Sequence, residues 1–231
     1  MLLLLTTALA AADVADRDPL PADTIIQQMK EAYASARSYR DTGMVREVFT
    51  DANGSRTVEK PFSTAFVRPH RFRYEFREKV RPFEVRKFII YRNRDDLRVH
   101  WDLEHDLTLD TLDRAVAAAT GVSSESAITV PAMLLPDEIT WRRAIRFRKP
   151  ERIADKTLRG IDCYRIIDET VRGQMTLWIG KADLLLRQAE SEFLFEDFRV
   201  QRTTTYNPER DIPVAGELLE FNAPGGKRLW R

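Results

Sequence analysis

Few side chains in this 231-residue chain have a type and spacing that could do chemistry. His100 and His105, with Asp102 and Glu104 between them, raise the question of a metal, because imidazole and carboxylate together suit zinc. A spacing of five places the two imidazoles on neither one helix face nor one strand face, so exposed loop residues are the simpler reading. His70 follows Pro69 and reads as a turn residue. The acid pairs Asp95-Asp96 and Glu196-Asp197 adjoin one another in predicted turns, where solvated charges are expected rather than an acid/base pair. No Ser, Cys or Lys stands in a nucleophile motif such as G-x-S-x-G, and no Gly-rich phosphate loop is found. The single cysteine, Cys163, excludes an intrachain disulfide and lies inside a strand pattern, where a buried, inert thiol is expected. We therefore assign no catalytic residue, no metal ligand and no cofactor, and expect a protein that is not an enzyme.

What remains is apolar chemistry. Along 71–77 the period is two: Phe72, Tyr74 and Phe76 face one way, and Arg71, Arg73, Glu75 and Arg77 the other. With Phe88, Ile90 and Trp101 from the next strands, these residues form the candidate wall of a lipid cavity. Leu112, Val116, Met133 and Leu134 from a helical insert supply its cover. An acyl chain suits such a site because each buried CH₂ contributes ~0.8 kcal/mol without any directed polar contact. The same ten residues would serve equally as a dry core, and periodicity alone favours that plainer alternative.

The elements that must position them follow from local pattern. Asp23 reads as an N-cap, and Ile25, Ile26, Met29, Tyr33 and Ala36 recur at helical spacing, predicting a helix that ends near Tyr39. Strands are predicted at 44–50, 57–67, 71–77, 85–91 and 97–101, the first pair joined through a hairpin-type Asn53-Gly54 step. Leu107, Leu109, Leu112, Val116 and Ala119 fit a short helix stopped by Gly121, and 123–135 a second helical segment. Strands resume at 151–157, 161–167, 175–179, 184–187 and 198–206, and 212–221 is a candidate for a last one. About ten antiparallel strands, one helix before them and a helical insert midway give an α+β fold. A sheet of that size tends to curl.

Composition is that of an ordinary folded domain: 43% hydrophobic and 32% charged, with a net charge of +1. The basic runs 68–98 and 142–152 invite a nucleic-acid reading. Glu75, Glu78, Glu84, Asp95 and Asp96 interrupt the first, so a solvated sheet face without nucleic acid is expected, with at most peripheral membrane contact. Residues 1–12 (MLLLLTTALAAA) have an apolar core followed by small residues, with Ala8-Leu9-Ala10 fitting a cleavage site. This predicts a signal peptide and a periplasmic protein. No cysteine follows the apolar run, so it is not lipid-anchored. A linker (13–21), a single domain (22–224) and a loose tail (225–231) complete the division.

With these elements in place, the chain resembles the periplasmic outer-membrane lipoprotein-sorting (LolA/LolB-like) superfamily over roughly 22–224. The closer likeness is to its exported members that open on Ala32-Tyr-Ala-Ser35…Ser38-Tyr39-Arg-Asp-Thr-Gly43. Other matching features are Phe72-Arg-Tyr-Glu-Phe76, Ala119-Thr-Gly-Val122…Val130-Pro-Ala-Met-Leu-Leu135, Leu177-Trp-Ile179…Leu186-Arg187 and Thr203-Thr-Thr-Tyr206. The resemblance implies an incomplete, half-open β-barrel wrapped around a hydrophobic cavity, with helices as a lid. Sorting proteins of that group hold lipoprotein acyl chains; relatives bind other lipids or act as sensory domains of envelope-stress regulators. Two departures stand out. The chain has no lipobox cysteine, which excludes the outer-membrane acceptor type, and only Arg46 offers itself as the strand arginine that holds the lid in the carrier type. The expected function is a non-enzymatic binding protein for a lipid or acyl chain, with an envelope protein or lipoprotein as a further partner. The alternative is a protein-interaction or sensor domain of the same fold.

Overall fold

A computed structural model describes residues 20–103, 109–140, 145, 147–170 and 173–222. The signal segment, most of the linker, the tail, and Glu104, His105, Leu107 and Arg142–Arg143 of the expectations above lie outside the described residues.

The apolar stripe of the first helix (α1, Ala22–Ala34) does what its spacing predicts: Ile25, Ile26, Met29 and Tyr33 are buried. Its limits differ from expectation at both ends. Pro21, not Asp23, is the N-cap, and Asp23 sits in the first turn, where a carboxylate favours the positive end of the helix. The helix stops at Ala34 rather than near Tyr39, because residues from Ser38 onward join a β ladder.

That ladder joins β1 (Ser38–Asp51) to β2 (Gly54–Val67), each fourteen residues long and longer than local pattern suggests. The Asp51 carboxylate accepts the Asn53 N–H at 2.7 Å and Gly54 takes a positive φ, which together make the tight turn. The meander continues through β3 (Arg71–Arg81), β4 (Glu84–Asn93) and β5 (Asp96–Trp101). A second meander comprises β6 (Glu151–Leu158), β7 (Ile161–Thr170), β8 (Gly173–Gly180), β9 (Leu186–Leu194) and β10 (Arg199–Tyr206). β1 pairs with β10 over Gly43–Thr50, so the two meanders fuse into one antiparallel sheet of order β5-β4-β3-β2-β1-β10-β9-β8-β7-β6. The sheet does not close: β5 and β6 are its edges. The segment 212–221 is not a strand. Only Glu209–Arg210 (β11) pair with the start of β1, since β10 occupies the rest of that edge, and Gly216–Leu219 form a 3-10 turn.

Between the two free edges run α2 (Leu112–Val122), α3 (Ser126–Thr129) and α4 (Pro131–Leu134). The Thr111 hydroxyl caps α2 by accepting the Arg114 N–H. Gly121 does not end α2. The chain turns at Ser124 and Glu125, both in the left-handed region with φ of 53° and 69°, a conformation that disfavours side chains.

The outer face of the sheet is only partly wet. Glu75, predicted solvent-facing, is buried between Arg73 and Arg77, and Arg73 reaches the Glu220 carbonyl at 2.9 Å. Phe221 stacks against Tyr91 and Arg98, so the chain's later residues cover this patch.

Candidate functional site: an apolar sheet face and its helical cover

Alternation along β3 and β4 turns Phe72, Tyr74, Phe76, Phe88 and Ile90 to the concave side, where all five are buried. Register brings them into cross-strand pairs, Tyr74 with Ile90, Phe76 with Phe88, and Phe88 with Trp101. The rings run on in sequence: Phe76–Phe88 centroids lie 5.9 Å apart and Phe88–Trp101 5.7 Å. Trp101 is half-buried. From the cover, Leu112, Val116, Met133 and Leu134 are buried in the same apolar cluster. All ten sequence-predicted residues are thus brought together, as two layers packed on one another.

Residues that local pattern did not single out extend this wall. Tyr33, Tyr39, Phe62 and Tyr206 continue it across the β1–β10 junction, with Phe62–Tyr206 centroids 5.6 Å apart. Ile166, Leu177 and Ile179 carry it onto the second meander.

The cover is fastened to the wall by buried polar contacts. Tyr74 lies 2.7 Å from Ser126 Oγ. Ser126 already donates to the Ser123 carbonyl, so the Tyr74 hydroxyl is the donor. Burial pushes the Tyr74 pKa up, which keeps that proton in place. At the end of α2, Lys60 Nζ donates to the Val122 carbonyl at 2.9 Å and to Ser124 Oγ at 3.2 Å. Ser124 Oγ in turn donates to Glu47 Oε2 at 2.7 Å. Arg202 completes the set, with Nε 2.8 Å from Glu47 and Nη1 3.0 Å from Glu125. The two left-handed residues, Ser124 and Glu125, are therefore the ones gripped by the sheet.

Arg46 is not the lid arginine. It is exposed on the outer face beside Glu59, because adjacent strand residues point oppositely and it is Glu47 that faces the cover. Arg68 takes the expected type of role instead: one guanidinium donates to the carbonyls of Ala34, Ala36 and Leu134, closing the ends of α1 and α4 together. Arg92 holds Glu138, just past α4. A charged residue at an inward strand position was the available signal for Glu47 and Lys60, but their partners lie far away in sequence.

Two spaces adjoin the cover. A cleft of about 580 Å³ lies between α1 and the segment from α4 to Ile145, bordered by Gln27, Lys30, Glu31, Met133 and Ile139. A smaller space of about 40 Å³ lies beneath Glu125, Arg202, Leu177 and Tyr206.

The groups weighed for catalysis lie elsewhere. His100 Nε2 is 2.7 Å from Asp102 Oδ1 at the end of β5, and His70 is an exposed turn residue. Among the described residues no three His, Cys, Asp or Glu side chains gather as a metal site would require. Cys163 is buried, its Sγ 3.4 Å from the Ile161 carbonyl, and burial pushes its thiol pKa up. Among the described residues no helix is long and apolar enough to cross a membrane.

No protein-family model matches the chain, and no curated protein does. Among solved structures it is similar to MucB in complex with MucA(peri), at 11% identity and a TM-score of 0.48, covering 87% of this chain and 60% of that one. The MucA/MucB complex of Pseudomonas aeruginosa gives 10% and 0.46, so this chain spans about 60% of the MucB length in both. LprF from Mycobacterium bovis is 11% identical with a TM-score of 0.44, covering 84% of this chain and 94% of that one. At such identities the likeness is one of fold alone. The architecture the sequence resemblance implies, an unclosed antiparallel sheet with helices over its apolar face, is the one the chain adopts.

Proposed function

We propose that this protein is a non-enzymatic, periplasmic binding protein that takes a lipid or acyl chain between the concave sheet face and the α2–α4 cover. The observation that carries this reading is the position of Met133. It belongs to the buried apolar cluster and also borders the open cleft beside α1, so an alkyl chain entering there meets the wall after displacing one flexible side chain. The cover supports the reading further. Its ties to the sheet are side-chain contacts at a few points rather than a continuous backbone ladder, which suits an element that lifts. Phe72, Tyr74, Phe76, Phe88, Ile90 and Trp101 would then contact the chain from one side, and Leu112, Val116, Met133 and Leu134 from the other.

The test is native mass spectrometry of the purified protein, followed by titration with a fluorescent fatty acid. A co-purifying lipid and saturable uptake are expected, and Tyr74→Asp should abolish uptake while leaving the strand content unchanged. A folded Tyr74→Asp protein that takes up the probe as the parent does would put the ligand elsewhere.

One observation favours a second reading, an envelope protein-interaction or sensor domain: the wall and cover pack tightly on each other, ring against ring. Ligand-free protein that refuses every acyl probe and captures an envelope protein would support it over the first.

A further inference from the structure

The β3–β4 hairpin leaves the sheet. β2 accompanies β3 only as far as the Phe62–Phe76 pair, and β5 accompanies β4 only to Phe88–Trp101. Beyond that point Glu78–Arg86, Lys79–Val85 and Arg81–Glu84 pair only with each other. The last ties to the body are the Lys60–Glu78 ion pair and the Lys87 N–H on the Asp102 carboxylate. At ~3.3 Å per residue, the free two-stranded ribbon carries its turn about 10 Å past those ties.

The side chains on this ribbon are unusual for a solvated turn. Phe83 at the tip is fully exposed, and Val80 and Val85 beside it are 39% and 52% exposed. Lys79, Arg81, Arg86 and Lys87 surround them, against Glu78 and Glu84. Glu84 is shared by Arg81 at 3.8 Å and Arg86 at 2.9 Å, and Lys79 has no ion-pair partner among the described residues. The ribbon therefore offers an apolar point within a basic collar.

We infer that the β3–β4 ribbon is a membrane-docking element, which inserts Phe83 into the interface of a bilayer carrying anionic lipid. A fluid interface admits a narrow convex tip, whereas a stable protein–protein contact needs roughly 800 Å² from each partner, more than this tip offers. Charge complementarity selects the lipid class: basic residues near an anionic surface contribute while the aromatic ring sits among the headgroups. The β9–β10 turn at the same end of the sheet makes the contrast. Its exposed Phe195 and Phe198 stack on each other 4.4 Å apart and flank Glu196 and Asp197, so it lacks the basic collar.

The test is co-sedimentation of the full chain with vesicles of phosphatidylcholine alone, or of equal parts phosphatidylcholine and phosphatidylglycerol. Binding to the anionic vesicles is expected, weakening as salt is raised. Phe83→Ser should lower it about tenfold, from the loss of one buried ring. Lys79→Glu should lower it and flatten the salt dependence, and Phe198→Ser should leave it unchanged. Because these side chains are exposed, the variants should keep the parent's melting temperature. The inference is overturned if the parent stays in solution with both vesicles, or if Phe83→Ser binds like the parent. It is also overturned if binding needs envelope vesicles that retain their proteins and is absent from vesicles of the extracted lipids, which would make the partner a protein.

Discussion

Lys60 on β2 and Val122 at the end of α2 meet through a 2.9 Å hydrogen bond, ammonium to carbonyl, in a place almost closed to water. It ties the middle of the sheet to the point where the cover changes direction. Glu47 and Ser124 share the same ammonium or its neighbours, so the contact is one member of a network and not an isolated pair.

Lys60→Met should therefore loosen the cover without unfolding the sheet. A buried hydrogen bond from a charged donor is worth about 1.5–3 kcal/mol, and a loss in that range is expected in urea denaturation. Hydrogen exchange should accelerate at 122–129 and remain slow in β1–β3. Equal acceleration throughout would mean that the contact supports the whole fold rather than the cover.

Gly43 sits where β1 passes Phe62 and β10. A Cβ there would lie 2.2 Å from the Phe62 ring and 2.5 Å from the Thr205 carbonyl oxygen. Gly43→Ala should destabilise by about 1–3 kcal/mol, the usual cost of overpacking. Adding Phe62→Leu should recover only part of it, because the backbone oxygen cannot move aside. A melting temperature unchanged by Gly43→Ala would contradict the close approach.

Asp41 is buried beside Tyr39, and its Oδ2 and the Tyr39 hydroxyl have no hydrogen-bond partner, while Oδ1 accepts the Asn207 N–H at 2.8 Å. Burial raises its pKa to about 6, against the opposing pull of the Asn207 N–H. The folded state thus holds the proton more tightly than the unfolded chain does. Its contribution to stability is complete below about pH 4 and is lost as pH rises through about 6. Asp41→Asn should be more stable than the parent at pH 7.5, by at most about 3 kcal/mol, and the gain should vanish near pH 4. Thermal melts of both proteins across that range would decide it; a gain that grows toward low pH would be the wrong sign.

Cys163 should not react with iodoacetamide in the folded protein and should react readily in urea, since its thiol is buried and its pKa raised. Rapid labelling under native conditions would mean that β7 opens at its start.

Much of the site was legible in the sequence. The alternation of Phe72, Tyr74 and Phe76 and the helical stripe of Ile25, Met29 and Tyr33 are local periods, and backbone geometry turns such periods directly into faces. The turn at Asn53-Gly54 and the helical insert between two sets of strands were legible for the same reason. Arg46 shows the limit: knowing that an arginine lies on a strand does not say which side it takes, and a step of one residue separates the exposed Arg46 from the buried Glu47.

The sequence by itself determined which residues are apolar, their period, and hence an antiparallel α+β chain with one greasy face. Only the tertiary structure decided that β1 joins β10, that the edges stay open at β5 and β6, and that Glu47, Lys60 and Arg202 converge on Ser124 and Glu125. Period is fixed by bonds between neighbours, whereas convergence depends on which distant strands share a ladder, and no local pattern encodes that choice.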